Sequence, residues 1–459
     1  MTDLETRLAP PDSALRRAAP ALLGYAAVRA LGLLALVLWS AARDKSAYTL
    51  LTARWDSLWY TRVAELGYGY EVRLPNGDVH SNLAFFPLLP WLERGIAAVT
   101  PLSHADSGFA VSLLASLAAA WGVFAVADHV YGRRAGVFAV LVWAVLPVGI
   151  VQSMAYSESL FTALAAWSLY AVLTGRWVTA GVLASLAGLT RPVGLAVVAA
   201  VWVAAIVAFS RDRAATGGPS SERERSAART DGADAGEHAP KPAAEATDRR
   251  APETGDAPHP PRAPGSSAGI QSWRAPRPGA DAPASGGRAA AGAHPLPRAL
   301  ALLIAPLGAA AYVLWVGHRT GKGPLGYLDV QAGWRNGFDG GYAFARFVGE
   351  KFTSFPSALA GAGLIVGVGL VLWLYVIGVR QRQPLPLLVY TGVVTALALC
   401  ASSYFGSKPR LLLPAFPLLF PLALALARLR TPRSVLVVCA VALGSAVYGA
   451  FWLNGSGPP

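Results

Sequence analysis

Apolar stretches of about twenty residues recur from one end of this chain to the other, and that recurrence constrains the fold more than anything else in it. Hydrocarbon offers no water to backbone N–H and C=O groups, so a segment of that length has to satisfy them internally, as a helix. The runs predict spans at about 20–41, 107–127, 136–153, 158–174, 176–190, 192–210, 298–317, 356–379, 385–402, 410–428 and 433–453. The expected fold class is an all-α polytopic membrane protein, a bundle of about 11 transmembrane helices. Composition agrees: 54% of residues are hydrophobic and only 14% are charged, where soluble domains carry about 25%. An ordinary soluble enzyme and a wholly disordered chain are both excluded. Asp3, Glu5 and Asp12 lie ahead of the first run and no small-residue cleavage site follows it, so the run is expected to remain as an anchor.

A net charge of +13 raises nucleic acid as a partner, and the positions of the charges decide against it. Residues 211–297 are rich in Ala, Pro, Gly and Ser, nearly balanced in charge and almost without branched aliphatics. They cannot bury a core and are expected to form a disordered cytoplasmic insert, either a tolerated insertion or a regulatory tail. The basic excess then belongs to the membrane domain, where cytoplasmic loops collect Arg and Lys. With residues 1–19 as a cytoplasmic N-terminus, Arg133, Arg134, Arg176, Arg380, Arg382, Arg428, Arg430 and Arg433 all fall inside. The chain divides into a membrane part 20–210 with an outer loop 42–106, the insert 211–297, and a membrane part 298–459 with an outer loop 318–355. This parity requires that 82–101 not cross. Its two prolines and its central Glu93 and Arg94 suit an interfacial or partly re-entrant helix, since a charge at mid-bilayer costs about 2.5–3.5 kcal/mol. Parity also requires that 176–190 and 192–210 be separate spans.

Polar chemistry gathers at the outer ends of these spans. Arg54-Trp55-Asp56-Ser57 opens a stretch in which Trp55, Trp59, Val63 and Leu66 share one helical face and Thr61 and Glu65 turn away, as in an amphipathic surface helix. Asp56, at the edge of that stripe, reads either as a capping or surface aspartate or as a carboxylate whose desolvation tunes it toward a general base. Tyr156-Ser157-Glu158, Thr190-Arg191-Pro192 and Ser407-Lys408-Pro409-Arg410 fall on the same face. Arg191, Lys408 and Arg410 run against the positive-inside trend and call for an anionic partner: a bound phosphate or ordinary lipid headgroups. Glu158 reads as a member of this site or as an acid favoured by a helix N-terminus. Arg29, near the middle of the first span, is either a functional charge or a snorkelling one. Cys400 and Cys439 lie inside apolar runs and are expected to pack in the core. Phosphate-loop, dinucleotide, HExxH and CxxC signatures are missing, so no cofactor and no metal are expected.

Arg54-Trp55-Asp56-Ser57, Tyr60, Gly67-Tyr68, Ala84-Phe85-Phe86-Pro87-Leu88, Tyr156-Ser157-Glu158 and Leu189-Thr190-Arg191-Pro192, taken in this order, resemble the PIG-V-like mannosyltransferases. These are integral-membrane glycosyltransferases of the GT-C class, related to GPI mannosyltransferase II. The resemblance spans the membrane domain and leaves out the insert. It implies a GT-C-like bundle in the cell membrane and a polyprenyl-phosphate-linked sugar donor, usually of mannose, used on the extracytoplasmic face. Asp56 matches the outer-loop acid that serves such enzymes as base. The acceptor does not carry over and is expected to be a lipid, glycan or protein of the cell envelope. The expected reaction is inverting and independent of nucleotide. In it Arg191, Lys408 and Arg410 hold the donor phosphate, Glu158 orients a sugar hydroxyl or assists Asp56, and Arg54, Trp55, Tyr60, Phe85, Phe86 and Tyr156 line the pocket among membrane lipids. A lipid-linked-sugar flippase and a noncatalytic membrane subunit are the competing classes.

Overall fold

The computed structural model describes residues 14–216, 295–402 and 404–455. The chain divides into two units, Met1–Arg211 with His294–Pro459, and Asp212–Ala293. Apart from its ends, the expected insert 211–297 lies outside the described residues, as do residues 1–13 of the expected cytoplasmic N-terminus.

Among the described residues the helices run α1 (Ala14–Ala41), α2 (Ala47–Thr52), α3 (Asp56–Leu66), α4 (Leu88–Val99), α5 (His104–Tyr131), α6 (Arg133–Ala144), α7 (Ser157–Leu173), α8 (Trp177–Gly188) and α9 (Leu195–Thr216), the last of which runs past the end of the first unit's N-terminal part. After the gap come α10 (Pro295–Ile304), α11 (Leu307–Thr320), α12 (Gly326–Gly333), α13 (Tyr342–Glu350), α14 (Ser357–Arg380), α15 (Leu385–Cys400), α16 (Lys408–Leu411), α17 (Phe420–Arg428) and α18 (Thr431–Leu453). Two short antiparallel ribbons complete the first unit. One joins β1 (Glu71–Arg73) to β2 (Val79–Ser81), and the other joins β3 (Gly337–Phe338) to β4 (Ala401–Ser402).

Six helical stretches among the described residues are long and apolar enough to cross a membrane, and two bent pairs, Arg133–Ala144 with Pro147–Ser153 and Phe405–Leu411 with Phe416–Arg428, raise the number to eight. The protein is a multi-pass helical membrane protein. The helices α7, α8 and α15 coincide with three further expected spans but have 17, 12 and 16 residues. At 1.5 Å per residue they fall short of a hydrocarbon core about 30 Å thick. The boundary at Arg191 is a true break: α8 stops at Gly188, and Pro192 opens a short 3-10 turn before α9.

Packing relies on small side chains, since lipid gives apolar helices no hydrophobic reason to associate and close backbone approach supplies the contact. A Cβ on Gly122 of α5 would come within 2.8 Å of the Ala166 Cβ on α7, and one on Gly308 of α11 would strike the Ser185 carbonyl of α8. α5 itself is punctuated at both ends: the Ser103 hydroxyl accepts the Asp106 N–H at 3.1 Å, and Gly132 stops the helix at φ 88°.

Two expectations at the residue level are corrected by the packing, and one of the two readings of Arg29 falls away. Arg29 does not snorkel. It is buried in α1 and donates to the carbonyls of Ala144 and Gly149, on either side of the bend in the 133–153 stretch. Cys439 is exposed on α18 rather than packed in a core, because in a lipid environment the outer face of a helix is apolar too. In α3 the buried face is Ser57, Tyr60, Val63 and Ala64, while Leu66 of the expected stripe is 74% exposed. This helix packs against α4 and α5 instead of lying free on a surface.

Candidate functional site

Four structural interruptions bring the polar motifs together. Asp56 is the first residue of α3, and Trp55 before it adopts φ 54°, ψ −125°. That conformation suits glycine, and holding a residue with a Cβ there costs about 1–3 kcal/mol. Glu158 is the second residue of α7, reached after the chain has turned 90° between α6 and the 3-10 segment Pro147–Ser153. Its approach is pinned by the Ala155 N–H on the Leu51 carbonyl and by the Ser112 hydroxyl on the Tyr156 carbonyl, both 3.0 Å. Arg191 stands in the break between α8 and the 3-10 turn, whose entry is tied to α4 by the Leu88 N–H on the Leu189 carbonyl at 3.0 Å. Arg410 projects from the one-turn helix α16.

The four side chains form one connected set of ion pairs. Arg410 Nη1 is 2.8 Å from Asp56 Oδ2, Arg410 Nε is 3.2 Å from Glu158 Oε1, and Arg191 Nη1 pairs with that same Glu158 oxygen. Side-chain exposure falls from 26% at Asp56 to 14% at Arg191, 9% at Arg410 and 1% at Glu158. Two carboxylates balance two guanidiniums, which is how a buried charge cluster of this kind persists at all. The Arg410 guanidinium lies 5.1 Å from the ring centroid of buried Tyr156. Beside it the Tyr60 and Ser157 hydroxyls are 2.7 Å apart. Burial pushes the Tyr60 hydroxyl pKa up, so it stays protonated.

Lys408, two residues from Arg410, is not in this set. Its ammonium donates to the carbonyls of Ala398 and Ala401 at 2.8 Å and of Leu399 at 3.5 Å. Those contacts close the C-terminal end of α15 and leave the three donors of a lysine engaged. Arg54 stacks on Trp55, 4.1 Å from its ring centroid. Phe85 lies parallel to Trp59 at 5.6 Å and edge-on to Tyr60 at 5.2 Å, which joins it to the charge cluster through Tyr60. Phe86 packs behind it, against Tyr312 at 4.5 Å. Trp334, from the 318–355 loop, meets Trp59 edge-on at 5.0 Å; nothing in the local sequence around Trp334 marks it. Among the described residues no group of three or more His, Cys, Asp or Glu side chains is placed to hold a metal ion.

Fold and site together define a multi-pass helical membrane protein with a buried, charge-balanced acid and arginine centre at the ends of its helices. Residues 82–217 match the family described as dolichyl-phosphate-mannose-protein mannosyltransferase. The matched stretch contains Glu158 and Arg191 and leaves out Asp56, Lys408 and Arg410. Among solved structures the chain is similar to the crystal structure of the Archaeoglobus fulgidus oligosaccharyltransferase in complex with zinc and sulfate. That similarity has a TM-score of 0.41 at 15% identity and covers 94% of this chain; the chain spans 53% of the length of that protein. No curated protein matches.

Proposed function

We propose that the protein is a membrane glycosyltransferase of the GT-C class that moves a sugar, mannose, from a polyprenyl-phosphate donor to a cell-envelope acceptor on the extracytoplasmic face. One observation carries the reading: two carboxylates and two guanidiniums from four separated segments converge in a single cluster, with Asp56 as its most exposed member. The match of residues 82–217 to a mannosyltransferase family supports the reaction class, and the motif resemblance to PIG-V-like enzymes supports mannose and the lipid-linked donor. The outer face, and a cytoplasmic N-terminus in the cell membrane, follow from the Arg and Lys bias of the opposite loops.

In this mechanism Asp56 takes the proton of the acceptor hydroxyl as that oxygen bonds to the anomeric carbon. The bond from that carbon to the phosphate oxygen breaks, and the lipid phosphate leaves with the bonding pair and one more negative charge. Arg410 and Arg191 meet that growing charge from fixed positions, where a low-dielectric setting strengthens the interaction. Lys408 has no part in this, being held on α15, and the phosphate contact falls to the two arginines. Glu158 sets both guanidiniums in place. Tyr60, Tyr156, Phe85 and Trp55, with Arg54 stacked on it, wall the approach to Asp56, and Phe86 supports Phe85 from behind.

The test is incubation of the purified protein in liposomes with radiolabelled polyprenyl-phosphate-mannose and an extract of envelope acceptors. Label transferred to an acceptor is the expected result. Label carried across the bilayer without transfer would identify a flippase instead, and neither event would identify a noncatalytic subunit.

A further inference from the structure

We infer that Asp56 holds the place of the donor phosphate on Arg410, and that donor binding exchanges this partner and thereby frees Asp56 to act as base. The inference rests on the glycosyltransferase reading and adds to it a compulsory order, donor before acceptor. It starts from how Arg410 is shared. One edge of the guanidinium, at Nη1, faces Asp56 at 2.8 Å; the other, at Nε, faces Glu158 at 3.2 Å. Glu158 is enclosed, with 1% of its side chain exposed and Arg191 on the same oxygen, so it has no path away. Asp56 is 26% exposed and has no second cationic partner among the described ion pairs. Arg410 itself is 9% exposed.

Of the two carboxylates on Arg410, Asp56 is therefore the one an incoming anion can displace. The cluster is already neutral, so a phosphate added without exchange would leave three anions for two guanidiniums. A phosphate matches the fork of an arginine as well as a carboxylate does, and it arrives tethered to a lipid that concentrates it at the membrane. Once Arg410 has turned from Asp56 to the phosphate, the Oδ2 oxygen that the guanidinium covered at 2.8 Å is open to an acceptor hydroxyl. A carboxylate covered until the donor is seated cannot activate an acceptor prematurely.

Binding of unglycosylated polyprenyl phosphate to the full-length protein in nanodiscs tests the exchange. Asp56→Asn and Asp56→Ser remove the competitor and should bind the probe about ten-fold more tightly than the wild type, equivalent to about 1.4 kcal/mol. Wild-type protein supplies a second readout that needs no variant. Carbodiimide labelling of Asp56, followed by mass spectrometry, should rise several-fold when the probe is bound. Binding in the variants that equals or falls below wild type, or labelling that stays level or drops, overturns the exchange and leaves the glycosyltransferase reading standing. Failure of the wild type to bind the probe at all would remove the phosphate site, and the exchange with it.

Discussion

At Glu158 one enclosed carboxylate faces two guanidiniums, and the consequence of losing it follows from charge. Glu158→Gln leaves Arg191 without its buried partner, a loss of about 3–5 kcal/mol that should appear as a lowered melting temperature in detergent. Combined with Arg191→Gln the loss should be smaller than the sum of the two single losses, since the second change removes the charge stranded by the first. Asp56, the exposed end of the set, behaves differently: Asp56→Asn should lower the initial rate of transfer by about 10²–10⁴-fold while the melting temperature moves less than in Glu158→Gln. The residues of this cluster were legible as acids and contrary cations at helix ends. Their pairing was not. Lys408 and Arg410 look equivalent in sequence, yet residues two apart on a helix of 3.6 residues per turn project to nearly opposite sides. One accordingly faces the carbonyls of α15 and the other faces Asp56 and Glu158.

Among the elements, α15 depends on a side chain from outside itself. Its C-terminal carbonyls receive the Lys408 ammonium, a cation at the negative end of a helix. Lys408→Met should destabilise the protein by about 1–3 kcal/mol in thermal melts, with polyprenyl phosphate binding unchanged; Arg410→Lys should show the reverse bias. Helix α4 carries the other exceptional charge. Glu93 is fully buried there and neither carboxylate oxygen has a hydrogen-bond partner among the described residues. Burial pushes its carboxyl well above the ordinary glutamate range, and the charge of Glu65 on α3 pushes the same way. His104 at the start of α5 lies 3.8 Å from Glu65. A folded-state pKa raised above the unfolded one gives stability that is complete below the ordinary glutamate pKa and is lost as pH rises through the raised value. Melting temperature should therefore fall over that window in the wild type and stay flatter in Glu93→Gln, and a wild type with no such fall would remove the buried acid from α4. The sequence marked 82–101 as non-spanning because Glu93 and Arg94 sit at its centre. It did not reveal that α3 turns Tyr60, Val63 and Ala64 inward, because an apolar stripe cannot distinguish lipid from a neighbouring helix.

Across the whole molecule, contacts between loops far apart in sequence restrict the topology. Asp56 touches Arg410, the Arg335 guanidinium meets Asp78 at 2.6 Å, and Trp334 Nε1 donates to the Ser81 carbonyl at 3.0 Å. The 42–106 loop, the 318–355 loop and the Lys408 turn therefore share one end of the bundle. The Arg134 guanidinium donates to the Leu429 carbonyl at 2.7 Å, so two of the Arg-bearing connections share an end as well. In a chain lacking Cys400 and Cys439, Glu71→Cys and Tyr404→Cys should react with an impermeant maleimide on intact cells, and Arg380→Cys only after lysis. Labelling of Glu71→Cys and Arg380→Cys on the same side would overturn the topology. By itself the sequence determined that the chain is a helical membrane protein and which charges stand out as exceptional, because hydropathy and the expense of charge in lipid act on each segment independently; the number of spans was not fixed by it, since a run such as 136–153 or 410–428 reads as one helix and is bent. Only the tertiary structure decided which acid meets which arginine and which face of α3 is buried, because those depend on the angles at which broken helices meet, and a bend at Pro147 or Pro192 is set by all the helices packed around it.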